Sequence, residues 1–258
     1  MPKLLDGKLA LVLGIANKWS LAYAIADAFA QAGATLALTY LDERQKQSIE
    51  ELSRGWEVGA LLPCDVTKDQ ELASLAESLA RAGRPLQAVV HSLAFANRED
   101  LAKPFVETSR SGFLLAQDVS AYSLVAVARA TAPLMTEGGS LTTLTYLGST
   151  RVVPNYNVMG VAKASLEAAV RYLASDLGPQ KIRVNAISAG PVKTASARAV
   201  KDFSSILETG PKYAPLRRNI DPAEVADAAV FLASDLGRGV TGNVLFVDAG
   251  IHVMGFAG

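Results

Sequence analysis

Cysteine and histidine are nearly absent: the 258 residues include one cysteine, Cys64, and two histidines. A single cysteine excludes an internal disulfide and suits a reducing compartment. So few thiolate and imidazole ligands also argue against a metal cluster. Net charge is missing as well, since 25 Lys plus Arg balance 25 Asp plus Glu, and no global field draws the chain toward nucleic acid or an acidic membrane surface. Residues 1–7 hold no basic segment followed by an apolar one, and no charge-free apolar run approaches the roughly 18 residues that span a bilayer. No linker, repeat or low-complexity segment interrupts the chain. These absences predict a soluble, cytoplasmic protein whose residues 1–258 form one domain.

What the chain does have is apolar content, half of all residues, enough for one sizeable core. Apolar and β-branched runs predict strands at 8–13, 35–40, 58–62, 87–93, 140–146, 181–187 and 243–247. Apolar residues at helical spacing predict helices at 20–32, 43–54, 70–81, 111–135, 156–177 and 222–232. Regular β-α alternation with strands apolar on both faces means a parallel sheet covered by helices on both sides. The predicted fold is therefore α/β, one doubly wound domain around a seven-stranded parallel sheet. In such a sheet a ligand lies beyond the carboxyl ends of the strands, where the strand order reverses.

Residues 141–163 end the fifth strand and open the helix after it, and they hold three groups able to move or steer a proton: Tyr146, Tyr156 and Lys163. Tyr146 emerges at the strand's carboxyl end. Tyr156 and Lys163 are seven residues apart, so on a helix they differ by about 20° around the axis and face one side. A phenol can donate a proton or a hydrogen bond there, but its ordinary pKa of about 10 makes it a sluggish acid near neutrality. An ammonium close by, or cofactor hydroxyls it organises, would favour the phenolate and bring that pKa down. Taken singly, the same residues also fit an amphipathic helix with interfacial tyrosines and a surface lysine.

Other strand ends carry weaker signals. The first strand runs into Gly14 and then Ser20-Leu21, where glycine admits close backbone approach, serine can cap the helix, and the helix N-terminus favours a phosphate. The three glycines of the usual dinucleotide fingerprint are missing, and an ordinary strand-to-helix turn reads the same way. Asp65-Val66 ends the third strand as either an adenine contact or a turn. His91 sits in an apolar run and reads as a satisfied core histidine rather than a catalyst.

Together, Gly14 to Ser20, Asp65-Val66, His91-Ser92-Leu93-Ala94, Tyr146, Tyr156, Lys163 and the run from Arg183 to Pro191 resemble the short-chain dehydrogenase/reductase superfamily over essentially the whole chain. The string from Pro154 to Gly160 and the pair Asp202-Phe203 resemble one branch, the bacterial enoyl-acyl-carrier-protein reductases of fatty-acid synthesis. Most of the superfamily places its catalytic tyrosine four residues before the lysine. That position is Met159 here, which cannot donate a proton, and the tyrosine seven residues before follows the enoyl-reductase pattern. The resemblance implies a Rossmann domain and an NAD(H)-dependent enoyl reductase, with Tyr156, Tyr146 and Lys163 as catalytic residues. It implies cofactor contacts from Gly14, Ser20, Leu21, Leu41, Asp65, Val66, Leu93 and Lys163, and from the loop Val192, Lys193, Thr194, Ala195 and Ser196. Substrate contacts fall to Ala96, Tyr146, Tyr156, Met159, Phe203 and Ile206. Two other readings fit the same fold: a reductase of keto or hydroxy substrates, against which Met159 speaks, and a non-catalytic nucleotide sensor.

Tyr40-Leu41-Asp42-Glu43 ends the second strand, with Arg44 only after it. Two carboxylates repel a 2′-phosphate, so NADH is expected over NADPH. Residues 190–213 interrupt the alternation and carry apolar residues that fit either an amphipathic helix packed on the core or, as the resemblance implies, a lid over an acyl chain. Arg198, Lys201, Arg217 and Arg218 lie in or near this segment and read either as a docking patch for acidic acyl carrier protein, the partner the resemblance implies, or as scattered solvated charges. It also implies a homotetramer built through the 111–135 and 156–177 helices, whose alanine-rich outer faces would permit close packing.

Overall fold

The computed structural model describes residues 3–192 and 203–255. The chain alternates from its start: β1 (Leu9–Leu13), α1 (Leu21–Gln31), β2 (Thr35–Tyr40), α2 (Glu43–Leu52), β3 (Val58–Pro63), α3 (Asp69–Ala80) and β4 (Leu86–His91). There follow a short α4 (Arg98–Ala102), then α5 (Arg110–Gln117) and α6 (Ser123–Thr131), β5 (Gly139–Thr145), α7 (Asn157–Leu177) and β6 (Ile182–Ala189). The last elements are α8 (Phe203–Tyr213), α9 (Pro222–Ala233) and β7 (Val244–Val247). All seven strands are parallel, in the order β3-β2-β1-β4-β5-β6-β7. The order reverses between β1 and β4, which fixes the ligand crevice beyond Leu13 and His91.

Side chains of each central strand alternate between two apolar layers. On one side Ala10, Val12, Leu36 and Leu38 meet Ile25, Phe29, Val225 and Ala229 of α1 and α9. On the other, Leu9, Leu11, Leu13 and Ala37 meet Leu75, Leu124, Leu166 and Val170 of α3, α6 and α7. Burial on both faces explains the uninterrupted apolar runs in β1 and β4. The edges differ from that expectation: β3 is partly exposed along its length and no residue of β7 is fully buried, because each has a neighbour on one side only.

The helix expected at 111–135 is one helical stretch, Arg110–Leu134, but it is not uniform. A π turn at Asp118–Tyr122 separates α5 from α6. Within it the Ser120 hydroxyl reaches the backbone of Phe95, and just past it Ser123 donates to the Val119 carbonyl. The Ser123 bond to the carbonyl four residues back competes with the α-helical ladder where it widens by one residue. By length and composition this stretch could cross a membrane, yet its most apolar window is half buried inside the fold. Its alanines do not form the outer face: Ala116, Ala121, Ala126 and Ala128 are buried, while Leu114 and Tyr122 are exposed.

Candidate active site

Tyr146 follows β5 directly, and Tyr156 stands at the N-cap of α7. The Asn157 amide anchors this helix start by donating to the carbonyls of Leu101 and Lys103. The two phenol rings meet edge to face, centroids 5.0 Å apart at 69°. Among the described residues no group hydrogen-bonds to either hydroxyl, so both O–H groups remain free to donate into the crevice. Burial raises the Tyr156 pKa, and the nearby Tyr146 and Glu167 raise it further. Burial and then Asp248 raise that of Tyr146. The expected lowering by Lys163 is therefore not found, and Tyr156 is a neutral hydrogen-bond donor at every working pH. The reason is geometric: the Lys163 ammonium turns to the Leu144 carbonyl, 2.8 Å away on β5.

Lys163 is only 5% exposed. Burial lowers its pKa to about 8, against the opposing pull of Glu167 one turn along α7. Glu167 is also buried and accepts a hydrogen bond from Thr145 at 2.7 Å. Sequence periodicity alone missed this carboxylate, although its i, i+4 spacing from Lys163 was a usable signal.

The loops after the strands bring the expected cofactor residues to one edge of the sheet. Gly14 has φ +100°, and a Cβ there would stand 2.2 Å from the Ser92 carbonyl oxygen, so the close backbone approach is made by the protein's own β4 loop. Ser20 caps α1 by accepting from the Tyr23 amide, and its hydroxyl donates to the Asn17 carbonyl. The first turn of α1 has no acidic residue, so the positive end of the helix dipole meets the crevice without a competing carboxylate. Leu41 is exposed beyond β2, and Val66 and Leu93 are half-buried beyond β3 and β4. Gln45 ties these loops together by donating to the Ile15 carbonyl and accepting from the Leu41 amide. Such an anion-receptive helix end with apolar walls fits a dinucleotide. Asp42 caps α2 through the Gln45 amide, and among the described residues no basic side chain pairs with it. Asp65 is a turn residue, accepting from the amide and hydroxyl of Thr67, with Lys68 beside it.

His91 is fully buried, with Nδ1 against Thr143 and Nε2 against Ser123, and burial followed by the Lys163 charge holds its pKa near 3. It is a core histidine, as its apolar setting predicts. Burial pushes the Cys64 thiol up to about 12, which leaves it protonated and inert.

Ala96, Tyr156 and Met159 gather in a small apolar cluster with Phe113, Leu101 and Val158, distinct from the two sheet layers. Here the tyrosine ring lies against Gly148, where a Cβ would approach its Cδ1 to 2.4 Å. Gly148→Ala must therefore displace the ring. An error of about 1 Å in a donor costs up to about 10²-fold in rate, so steady-state assays of this variant should show turnover at least tenfold below wild type with the fold retained by circular dichroism.

Val192 is buried beyond β6, whereas Lys193, Thr194, Ala195 and Ser196 lie outside the described residues. So do Arg198 and Lys201, and α8 contains Phe203 and Ile206, whose side chains are likewise not described. Of the basic patch expected there, Arg218 is paired with a carboxylate and Arg217 keeps its charge. Arg218 forms a two-pronged ion pair with Glu224 at 2.7 Å, and Arg217 donates to the Lys212 carbonyl.

Comparison with known proteins agrees with this geometry. The family described as enoyl-(acyl carrier protein) reductase matches residues 14–252. The enoyl-acyl-carrier-protein reductase (NADH) of Bacillus cereus is 55% identical over 255 residues, 98% of this chain and 100% of that protein. The NADPH enzyme of Staphylococcus aureus is 50% identical, covering 97% of this chain and 98% of that one. A crystal structure of the Bacillus cereus enzyme with NADP+ and an indole naphthyridinone matches with a TM-score of 0.96, covering 98% of this chain and 99% of that one. Similarity over nearly the whole length, joined to the paired phenols between β5 and α7 and the buried lysine on α7, means that the chain belongs to the enoyl-(acyl carrier protein) reductase family.

Proposed function

We infer that the chain is an NADH-dependent reductase of the carbon–carbon double bond in trans-2-enoyl thioesters carried by acyl carrier protein, acting in the elongation cycle of fatty-acid synthesis. The observation that carries this reading is the free, neutral Tyr156 hydroxyl at the start of α7, packed against Tyr146, with Met159 at the position four before Lys163 where direct carbonyl reduction would need a proton donor. When bound, the reduced nicotinamide supplies the hydride to the β-carbon of the substrate. Negative charge then develops on the thioester oxygen. Tyr156 donates a hydrogen bond to that oxygen, and because the donor is already in place and partly dehydrated, its stabilisation is greatest in the transition state. Tyr146 packs the ring of Tyr156 in orientation and offers a second O–H. Lys163 holds the nicotinamide ribose, while Gly14, Ser20 and Leu21 receive the pyrophosphate at the start of α1, and Leu41, Asp65 and Val66 flank the adenosine. The apolar residues of the segment 190–213, Phe203 and Ile206 among them, are those that the family resemblance assigns to the acyl chain.

Loss of NADH absorbance with a short trans-2-enoyl thioester, beside the matching 3-ketoacyl thioester and repeated with NADPH, tests the reading. The enoyl substrate alone should turn over, faster with NADH because Asp42 and Glu43 disfavour a 2′-phosphate. Turnover of the ketone alone would overturn the mechanism, and silence on both with NADH still bound would indicate a nucleotide sensor.

A further inference from the structure

Glu167 is a buried carboxylate that the reaction above does not use, 7% exposed on the sheet-facing side of α7. It is separated from Lys163 by one helical turn, about 40° around the axis. Consecutive residues of β5 engage the two groups: the Leu144 carbonyl accepts from the Lys163 ammonium, and the Thr145 hydroxyl donates to Glu167. Tyr146 comes next in the chain. Lysine, glutamate and tyrosine are thus indexed to one strand end.

A buried carboxylate is costly without a cation in its surroundings, and Lys163 is a buried cation one turn back on α7, whereas Arg171 one turn on is exposed. The other ionisable groups around Lys163 cannot replace Glu167. His91 on β4 is neutral, and both tyrosines keep their protons. Asp248 beyond β7 is consumed by the amides of Gly250 and His252 and by the His252 ring. Asp100 at α4 is held by Ser109, and Asp118 heads the π turn packed across α7.

We propose that Glu167 is a positioning residue for the reaction: fixed to the end of β5 through Thr145, its negative charge keeps Lys163 an ammonium at the place from which it holds the nicotinamide ribose. This rests on the reading of Lys163 given above. Burial drives Lys163 toward neutrality, and Glu167 is the group that opposes it.

Glu167→Gln keeps the size and can still accept from Thr145, but removes the charge. NADH affinity, followed by fluorescence titration from pH 6 to pH 9, reads the protonation of Lys163 without any turnover. With the lysine half-charged near pH 8, wild-type affinity should fall about twofold between pH 6 and pH 8. Loss of the carboxylate moves the lysine down by about one pH unit, so the same interval should cost the variant about tenfold. The basic limb of kcat/KM for the enoyl thioester should move with it, and Glu167→Asp, which keeps the charge, should restore the wild-type limb. If Glu167→Gln fails to fold, Glu167→Met, which needs no hydrogen bond, takes its place in the comparison. A wild-type protein that does not bind NADH would overturn the role of Lys163. Normal wild-type behaviour with an unshifted limb in the neutral variants would overturn the role of Glu167 alone.

Discussion

Tyr156→Phe should lower kcat/KM for a trans-2-enoyl thioester by about 10²–10³-fold, the loss expected when one preorganised oxyanion donor is removed, or about 3–4 kcal/mol of transition-state stabilisation. The substitution isolates the hydroxyl. The phenyl ring still fills the slot against Gly148 and still meets Tyr146 edge to face. Since no described residue hydrogen-bonds to the hydroxyl, its removal strands no partner, and stability should change little. NADH affinity should stay within about twofold, because the ribose is held by Lys163. Tyr146→Phe should cost less, as Tyr156 keeps its own donor. Steady-state kinetics beside a fluorescence titration of NADH separate these effects, and an unchanged kcat/KM in Tyr156→Phe would refute the assignment. Both phenols stay protonated, so neither variant should move the alkaline limb of the pH profile.

The β-α alternation was legible because central strands buried on both faces leave a continuous apolar signature, and the two edge strands, although more exposed, keep enough β-branched and apolar residues to be found. Element ends shifted by a residue or two, as hydrogen-bonded termini do. The π turn was not legible, because it depends on hydroxyls of Ser120 and Ser123 finding partners on a different strand and its loop. At the site, the placement of Gly14, Asp65 and Leu93 at strand ends followed from spacing alone, whereas Tyr156 stands at the N-cap of α7 before Asn157 at φ +41°, so helical spacing does not carry from it to Lys163. What spacing could not convey was polarity. The lysine was expected to lower the tyrosine pKa, but the Leu144 carbonyl captures the ammonium and burial dominates the phenol. Gly148, Asn157 and Gln45 were missed for a similar reason: each acts through a tertiary neighbour, the Tyr156 ring, the α4 carbonyls and the Ile15 carbonyl respectively.

His91 should make the unliganded protein acid-labile. A neutral imidazole carries one N–H, so it donates through one ring nitrogen and accepts through the other. Thr143 and Ser123 can satisfy it in that form, whereas an imidazolium in a fully buried site also faces the Lys163 charge. The folded-state pKa is about 3 against about 6.5 in the unfolded chain. Between these values the unfolded state binds the extra proton, so stability rises with pH and is lost as pH falls below about 6.5. By pH 4.5 the loss from this group is on the order of 3 kcal/mol, a large part of the roughly 5–15 kcal/mol of a typical domain. Partly exposed carboxylates with lowered pKa values, such as Glu224, add to the acid loss in any variant, so the comparison must be with a non-titrating residue at the same position. His91→Gln should be less stable than wild type at pH 8 by about 1–3 kcal/mol, for imperfectly replaced hydrogen bonds. On acidification it should lose about 3 kcal/mol less than wild type, so the two denaturation curves converge or cross by pH 4.5. Urea titrations at pH 8, 6 and 4.5 measure this directly, and parallel losses in the two proteins would mean that His91 does not set the acid limit.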